Sequence, residues 1–300
     1  MKVLIIYFSG TGNTLKVAEK YAESFTQLGH VVDVVSVDGL PKNKTMTEEF
    51  LALVQNADLV GFGYPVHAFN APSVMLKLAK FLPKLTNAKR TFIFNTSGEP
   101  LKLNNISSIK LTRMLRRRKF TVFSEYHYCM PYNIIFRHTD EMAYKMWHTA
   151  EQLIPLDVKE IVEGKPHALK RVFCGAFVAW VMRCEHWGVR INGRHYKVQK
   201  ECVHFQKCMQ VCPTNNITVR KNGKLKFGGN CLMCMRCAQL CPKDAIKTGW
   251  FNHWKVNGAY TFEKPATAQQ QKYNKMLTQA YDKYFAECEA KIKENNPSDD

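Results

Sequence analysis

Two cysteine runs of almost the same design stand in the last third of the chain. Cys231, Cys234, Cys237 and Cys241, followed by Pro242, have the C-x2-C-x2-C-x3-C-P spacing that ligates cubane iron–sulfur clusters. Cys202, Cys208 and Cys212, followed by Pro213, fill the first, third and fourth places of the same spacing, and Phe205 stands in the second. Three closely placed thiolates grip three corners of one cluster, and where two runs occur together the last cysteine of each ligates the cluster of the other. Cys212, Cys231, Cys234 and Cys237 therefore make a full set for a [4Fe-4S] cluster, and Cys202, Cys208 and Cys241 a set of three. Phenylalanine offers iron no lone pair and His204 is one position out of register, so the second site is expected to hold a [3Fe-4S] cluster or a labile one. A zinc ribbon or buried unpaired thiols are the alternatives. Neither explains why the third cysteine and the proline repeat in both runs.

A second chemical signal lies at the start of the chain. Lys2 to Phe8 is a short apolar run suited to a strand buried on both faces, and Ser9-Gly10-Thr11-Gly12-Asn13-Thr14 follows at once. Leu15, Val17, Ala18, Tyr21 and Phe25 then recur as the apolar side of a helix. Hydroxyls and free N–H groups between a strand and a helix N-terminus form a phosphate cradle. Neither G-x4-G-K-[ST] nor G-x-G-x-x-G is present, which argues against a nucleoside triphosphate or a dinucleotide. The loop SGTGNT resembles the [ST]-x-T-G-x-T phosphate loop of flavodoxins, and that resemblance implies FMN as the ligand.

The elements that must position these residues alternate. Strands are expected at 31–37, 58–63, 91–96 and 120–128, and helices at 46–55, 73–82, 106–119 and 140–154. The fold class is therefore α/β: a flavodoxin-like doubly wound five-stranded parallel sheet, order 2-1-3-4-5, with a smaller C-terminal α+β ferredoxin-like iron–sulfur domain. Ligands of such sheets sit beyond the carboxyl ends of the strands. That rule selects Tyr64, Pro65, Val66, His67 and Ala68 after the third strand, and Asn95, Thr96, Ser97 and Gly98 after the fourth, as the flavin-facing residues. The loop from Cys129 to Asn133 lies on the same edge.

Pro155 to Pro166 carries two prolines and a glycine and marks the domain boundary. Four segments are expected: a flavodoxin-like domain over 1–160, a helical linker over 161–194, an iron–sulfur domain over 195–262, and a C-terminal helix and tail over 263–300. Within the linker Phe173, Phe177, Trp180, Val181, Cys184 and Trp187 form an apolar stripe expected to pack the two domains together, with a membrane surface as the alternative. Gly249, Trp250, Phe251 and Tyr260 are expected to cover the clusters. Leu277, Tyr281, Tyr284, Cys288 and Ile292 mark a last amphipathic helix, ahead of a frayed end at 295–300.

Composition limits the compartment. Eight of the 11 cysteines fall in the two runs or, as Cys184, just upstream, a pattern of reduced cytoplasmic thiols, and neither a signal peptide nor a transmembrane segment is expected. The net charge of +18 is spread along the chain, with 22 Lys and Arg against 15 Asp and Glu in residues 1–170 and 21 against 10 beyond. Ligating thiolates and a flavin phosphate would lower it, so nucleic acid is not the expected partner. The densest basic group is Arg113, Arg116, Arg117, Arg118 and Lys119, a solvated helix face or a dock for an acidic redox protein.

Over nearly its whole length the chain resembles bacterial fusions of an N-terminal flavodoxin-like domain with a two-run ferredoxin domain. The resemblance implies electron transfer between FMN, iron–sulfur chemistry and a redox partner. The alternative is direct reduction of a small molecule, such as a quinone or nitro compound, at the flavin edge.

Overall fold

The structure, a computed structural model, describes residues 1–40, 45–267, 269 and 271–295. Strands β1 (Lys2–Tyr7), β2 (Val31–Ser36), β3 (Leu59–Pro65), β4 (Lys89–Ser97) and β5 (Phe120–Cys129) alternate with helices α1 (Asn13–Gln27), α2 (Glu48–Asn56), α3 (Ser73–Phe81), α4 (Ile109–Arg117) and α5 (Asp140–Glu163). All five strands pair in parallel in the order β2-β1-β3-β4-β5. The central strands are sealed on both faces, which is why their sequences are apolar runs without alternation. One face packs Leu4, Ile6 and Phe62 against α2, α3 and α4, and the other packs Val3, Ile5 and Phe92 against α1 and α5.

Two element boundaries differ from the sequence reading by three residues or more. The helix expected from Ile106 begins at Ile109, because a 3-10 turn, Lys102–Ile106, precedes it. The helix expected to end at Ile154 runs through Pro155 to Glu163, since Ile154, Leu156, Val158 and Ile161 are buried and their packing outweighs the lost proline N–H.

Beyond Gly164 comes a hairpin of α6 (Gly175–Met182) and α7 (Glu185–Arg194). The small cysteine-bearing region follows, built from β6 (Lys197–Val198), α8 (Lys207–Gln210), β7 (Ile217–Val219), β8 (Leu225–Phe227), α9 (Arg236–Gln239) and β9 (Ile246–Lys247). Its strands pair antiparallel, β6 with β9 and β7 with β8. The last helix, α10 (Lys275–Asn295), returns to the first domain. There Lys291 pairs with Asp157 and Glu160 at 2.7 Å, and the Cys129 N–H donates to the Tyr284 hydroxyl at 3.1 Å. Cys288 is buried in the same layer. The expected fraying concerned 295–300, of which 296–300 lie outside the described residues.

The hairpin overturns one expectation. Its apolar stripe does not join the domains: Phe173 is 97% exposed, Phe177 64%, Trp180 62% and Trp187 70%. Smaller residues, Gly175 and Ala179, turn inward instead, because Gly175 lies against the Ile106 side chain with no room for a Cβ.

Candidate functional site

The Ser9–Thr14 loop joins β1 to the N-terminus of α1, whose first N–H groups have no helical partner. Gly12 takes φ +115°, a conformation that side-chain-bearing residues avoid, and its N–H donates to Ser9 Oγ at 3.1 Å. Asn13 Nδ2 donates to the Pro131 carbonyl at 2.6 Å, and Thr14 Oγ1 shares a hydrogen bond of 2.8 Å with Thr96 Oγ1. Thr11 Oγ1 is buried without a partner. A buried hydroxyl without a partner beside a helix N-terminus fits a bound phosphate, which would supply the missing acceptor.

This loop opens into a cavity of about 550 Å³. Of the residues selected from sequence, Ser9, Gly10, Asn13, Thr14, Pro65, Val66, His67, Ala68, Thr96, Ser97 and Gly98 line it. Thr11 and Gly12 of the loop do not, and neither do Tyr64 and Asn95. The latter two are fully buried in the sheet, and the Tyr64 hydroxyl hydrogen-bonds Ser107 Oγ at 3.3 Å, so neither belongs to the wall. Alternation of side chains along a strand sends these two away from the edge that their neighbours Pro65 and Thr96 occupy. The loop after β5 takes a larger part than expected, with Met130, Pro131, Tyr132 and Asn133. Gly98 is held in place from two sides, by the Tyr132 ring where a Cβ would sit and by the Tyr281 hydroxyl on its carbonyl.

The opposite wall comes from far along the chain: Met182, Glu185 and Val189 of the hairpin, Phe251 and Trp254, and Leu232, Met233, Cys234 and Met235 of the complete cysteine run. Phe251 thus roofs the large cavity. Trp250 turns outward at 60% exposure against His195, and Tyr260 donates to the Tyr132 carbonyl at 2.9 Å, so these residues do not form the expected cover for the clusters. Glu185 Oε2 and Glu99 Oε2 are buried without partners, and burial pushes each carboxyl up to about 7. Burial brings His67 down to about 4. Near neutral pH the cavity therefore presents a neutral imidazole and two carboxyls that are about half protonated.

The cysteines separate into the two sets read from their spacing. Cys212, Cys231, Cys234 and Cys237 surround one small cavity, and Cys202, Cys208 and Cys241 surround another together with Phe205. Burial and then the neighbouring thiols Cys234, Cys231 and Cys212 push Cys237 well above the usual thiol range, and burial pushes Cys234 up to about 12. Backbone N–H groups aim at sulfur: Met233 at Cys231 (3.3 Å), Asn216 at Cys212 (3.2 Å) and Ala245 at Cys241 (3.3 Å). Four half-buried thiols, two of them, Cys212 and Cys231, met by N–H donors, fit a cationic iron core, which holds such thiolates deprotonated. Among the described residues, no three His, Cys, Asp or Glu side chains converge on a single metal ion.

The two regions also meet at the Ser9–Thr14 loop. The Cys234 carbonyl lies 2.9 Å from where a Cβ on Gly10 would stand. Arg236 reaches across to the carbonyls of Ser9 and Gly10 (2.9 Å to the latter), to the Asp38 carboxylate and to the Val211 carbonyl at 3.1 Å.

Residues 194–242 match the family model of the 4Fe-4S dicluster domain. The chain thus joins a sheet of flavodoxin-like order to a region similar to the 4Fe-4S dicluster domain. Solved structures similar to its first half include a flavodoxin from the domain Archaea (18% identity, 54% of this chain and 99% of that one, TM-score 0.37). A flavodoxin of Streptococcus pneumonia TIGR4 follows at 16% identity (55% and 99%, TM-score 0.39), and oxidised Flavodoxin 2 from Bacillus cereus also at 16% (55% and 99%, TM-score 0.41). No curated protein matches the chain. Segments on either side of the matched region, 182–189 and 251–254, supply the cavity wall that the sequence reading missed. No local signal in residues 182–189 or 251–254 marks it, because only the docking of the two domains brings those residues to the flavodoxin-like edge.

Proposed function

We propose that this chain is an electron-transfer protein that moves electrons between FMN in the 550 Å³ cavity, a [4Fe-4S] cluster on Cys212, Cys231, Cys234 and Cys237, and a redox protein partner. The observation that carries this reading is the position of Cys234, which lines both the large cavity and the cluster cavity while its carbonyl abuts Gly10 of the phosphate loop. When bound, the flavin supplies one- or two-electron chemistry and the cluster one-electron chemistry.

The chain's own residues do the rest. Ser9, Thr11, Asn13 and Thr14 hold the phosphate, while Pro65 to Phe69 and Ser97 to Gly98 frame the ring side of the cavity. Met233, Met235, Phe251 and Trp254 line the cavity with apolar surface that would keep water out of it. Cys202, Cys208 and Cys241 hold a three-iron or labile cluster at the outer end, where Phe205 is 68% exposed and a partner can approach. The charge of +18 favours a partner with an acidic face.

A second reading has its own support. The cavity continues under Phe251, Trp254, Met182 and Val189, an apolar roof with the Glu185 carboxyl, raised by burial, set in it, which suits a flat small molecule such as a quinone. Anaerobically purified protein separates the readings. Turnover with ferredoxin-type acceptors is expected, and turnover with quinones alone would establish the second reading. A colourless chain holding zinc and no iron would refute both.

A further inference from the structure

The outer face of the α6–α7 hairpin has no cover within the chain. Phe173, Phe177, Trp180, Val181, Trp187 and Ile191 are exposed along it, and the Phe177 and Trp180 rings stack at 5.9 Å without being buried. Contiguous exposed aromatic surface of this kind marks a contact with something outside the chain.

Its surroundings indicate what that is. Residues 165–200 hold eight Lys and Arg, and Glu185 is the one acidic residue among them. Glu185 faces the inner cavity, so it does not offset the positive charge outside. Lys110 and Arg113 of α4 add to the same field: Lys110 is held down by burial and then by Arg183, Arg183 by burial and then by Arg113. His186 is lowered to about 4 by burial and then by Lys110, Arg190 and Arg183. Among the described residues none of Lys110, Arg113, Arg183 and Arg190 makes an ion pair, and Arg190 lies 6.0 Å over the Trp187 ring.

We propose that this face seats the protein on an anionic lipid surface, with the aromatic side chains in the headgroup layer and the four cations against the lipid phosphates. Exposed tryptophan and phenylalanine on a short helical element that carries the unpaired Arg183 and Arg190, with Lys110 and Arg113 of α4 close by, are the composition of an interfacial element, which lies in the membrane surface and does not span it. Among the described residues no helix is long and apolar enough to cross a membrane. A second copy fits poorly, because a two-fold contact would bring the same cationic group against itself. A side chain as free as Phe173 suits a fluid phase that moulds around it. The hairpin is one helix thick, about 10 Å, and its inner residues Met182, Glu185 and Val189 line the large cavity, so docking would hold that cavity close to the lipid.

The test is co-sedimentation of the cofactor-loaded full chain with vesicles of phosphatidylcholine alone or mixed with phosphatidylglycerol. Binding is expected on the mixed vesicles at low salt and should weaken as salt rises. The combined change Phe177→Ser, Trp180→Ser and Trp187→Ser should cut partitioning by roughly tenfold or more, with iron and flavin content unchanged. Arg183→Glu with Arg190→Glu should abolish the preference for anionic lipid. Brominated lipid should quench the tryptophan emission of the unchanged chain and not that of the serine variant. Three outcomes would each overturn the proposal: no binding to the mixed vesicles at low salt, binding that ignores both sets of substitutions, or a vesicle-independent dimer that the serine changes dissociate.

Discussion

In the run that starts at Cys202 and the run that starts at Cys231 the backbone makes the same turn. His204 and Met233 take φ of 54° and 52°, Gln206 and Met235 take 57° and 60°, and a single helical turn follows in each, α8 and α9. Past the prolines, Asn215 and Asp244 repeat the correspondence at 50° and 47°, and an N–H reaches the preceding cysteine sulfur in both. The second place of the run is where they part. Cys234 packs against Gly10, whereas Phe205 stands 68% exposed; the next-but-one residue is Arg236, bound to the phosphate loop, in one run and the exposed Lys207 in the other. The cluster-binding turn thus does not need its second cysteine to form. The run with all four cysteines is the one that faces the large cavity, and the second place of the other run faces solvent.

Breaking the complete run should have the largest effect. Cys234→Ser is expected to remove the inner cluster and most of the bound iron, read by iron and sulfide analysis, while the visible spectrum loses its cluster absorbance. Completing the other run sharpens the contrast: Phe205→Cys should raise iron to about eight per chain with two reducible four-iron signals in electron paramagnetic resonance. The same signals in the unchanged chain would erase the distinction between the runs. On the flavin side of Cys234, Thr14→Val should weaken FMN binding about tenfold, since a hydrogen bond to a charged group is worth about 1.5–3 kcal/mol; a titration giving unchanged affinity would remove the phosphate from this loop.

The smallest effect concerns Glu185, on the wall that only the inner run shares. Its carboxyl is raised from 4.5 to about 7 by burial, so it is protonated in the fold where the unfolded chain is ionised. The fold then binds the extra proton, and this group's contribution falls as pH rises from 4.5 through 7. Glu185→Gln should therefore lose less stability than the unchanged chain in urea unfolding between pH 5 and pH 8. Burial holds His67, His127, His138 and His186 at about 4, which gives the opposite trend: below 6.5 their contribution falls as pH falls, in both proteins alike.

What could be read from sequence follows the range of the forces involved. The phosphate loop, the sheet order and the partition of cysteines are written in short, contiguous spacings, and the structure places each group together. Orientation within a strand buried on both faces was not legible, because without alternation of polarity nothing separates Tyr64 and Asn95 from Pro65 and Thr96. Helical spacing in the hairpin revealed that Phe177, Trp180 and Trp187 share an apolar stripe, yet periodicity cannot say what lies opposite. The roof from Phe251 and Trp254 arises from docking two domains, and no local pattern encodes that. Pro155 misled for a related reason: the rule for proline is local, and the burial of Ile154 and Leu156 that overrides it is tertiary.

Arg236 has a consequence for how the protein is made. Its guanidinium spans from the inner cluster turn to the carbonyls of Ser9 and Gly10, so the shape of the phosphate loop depends on the shape of the cysteine run. Coupling of this kind is reciprocal: whatever iron loading adds to flavin affinity, flavin adds to iron retention by the same factor. On the proposed assignment, a chain matured without iron should hold FMN more weakly than the iron-loaded chain, because its phosphate loop lacks the support that Arg236 carries from the cysteine run.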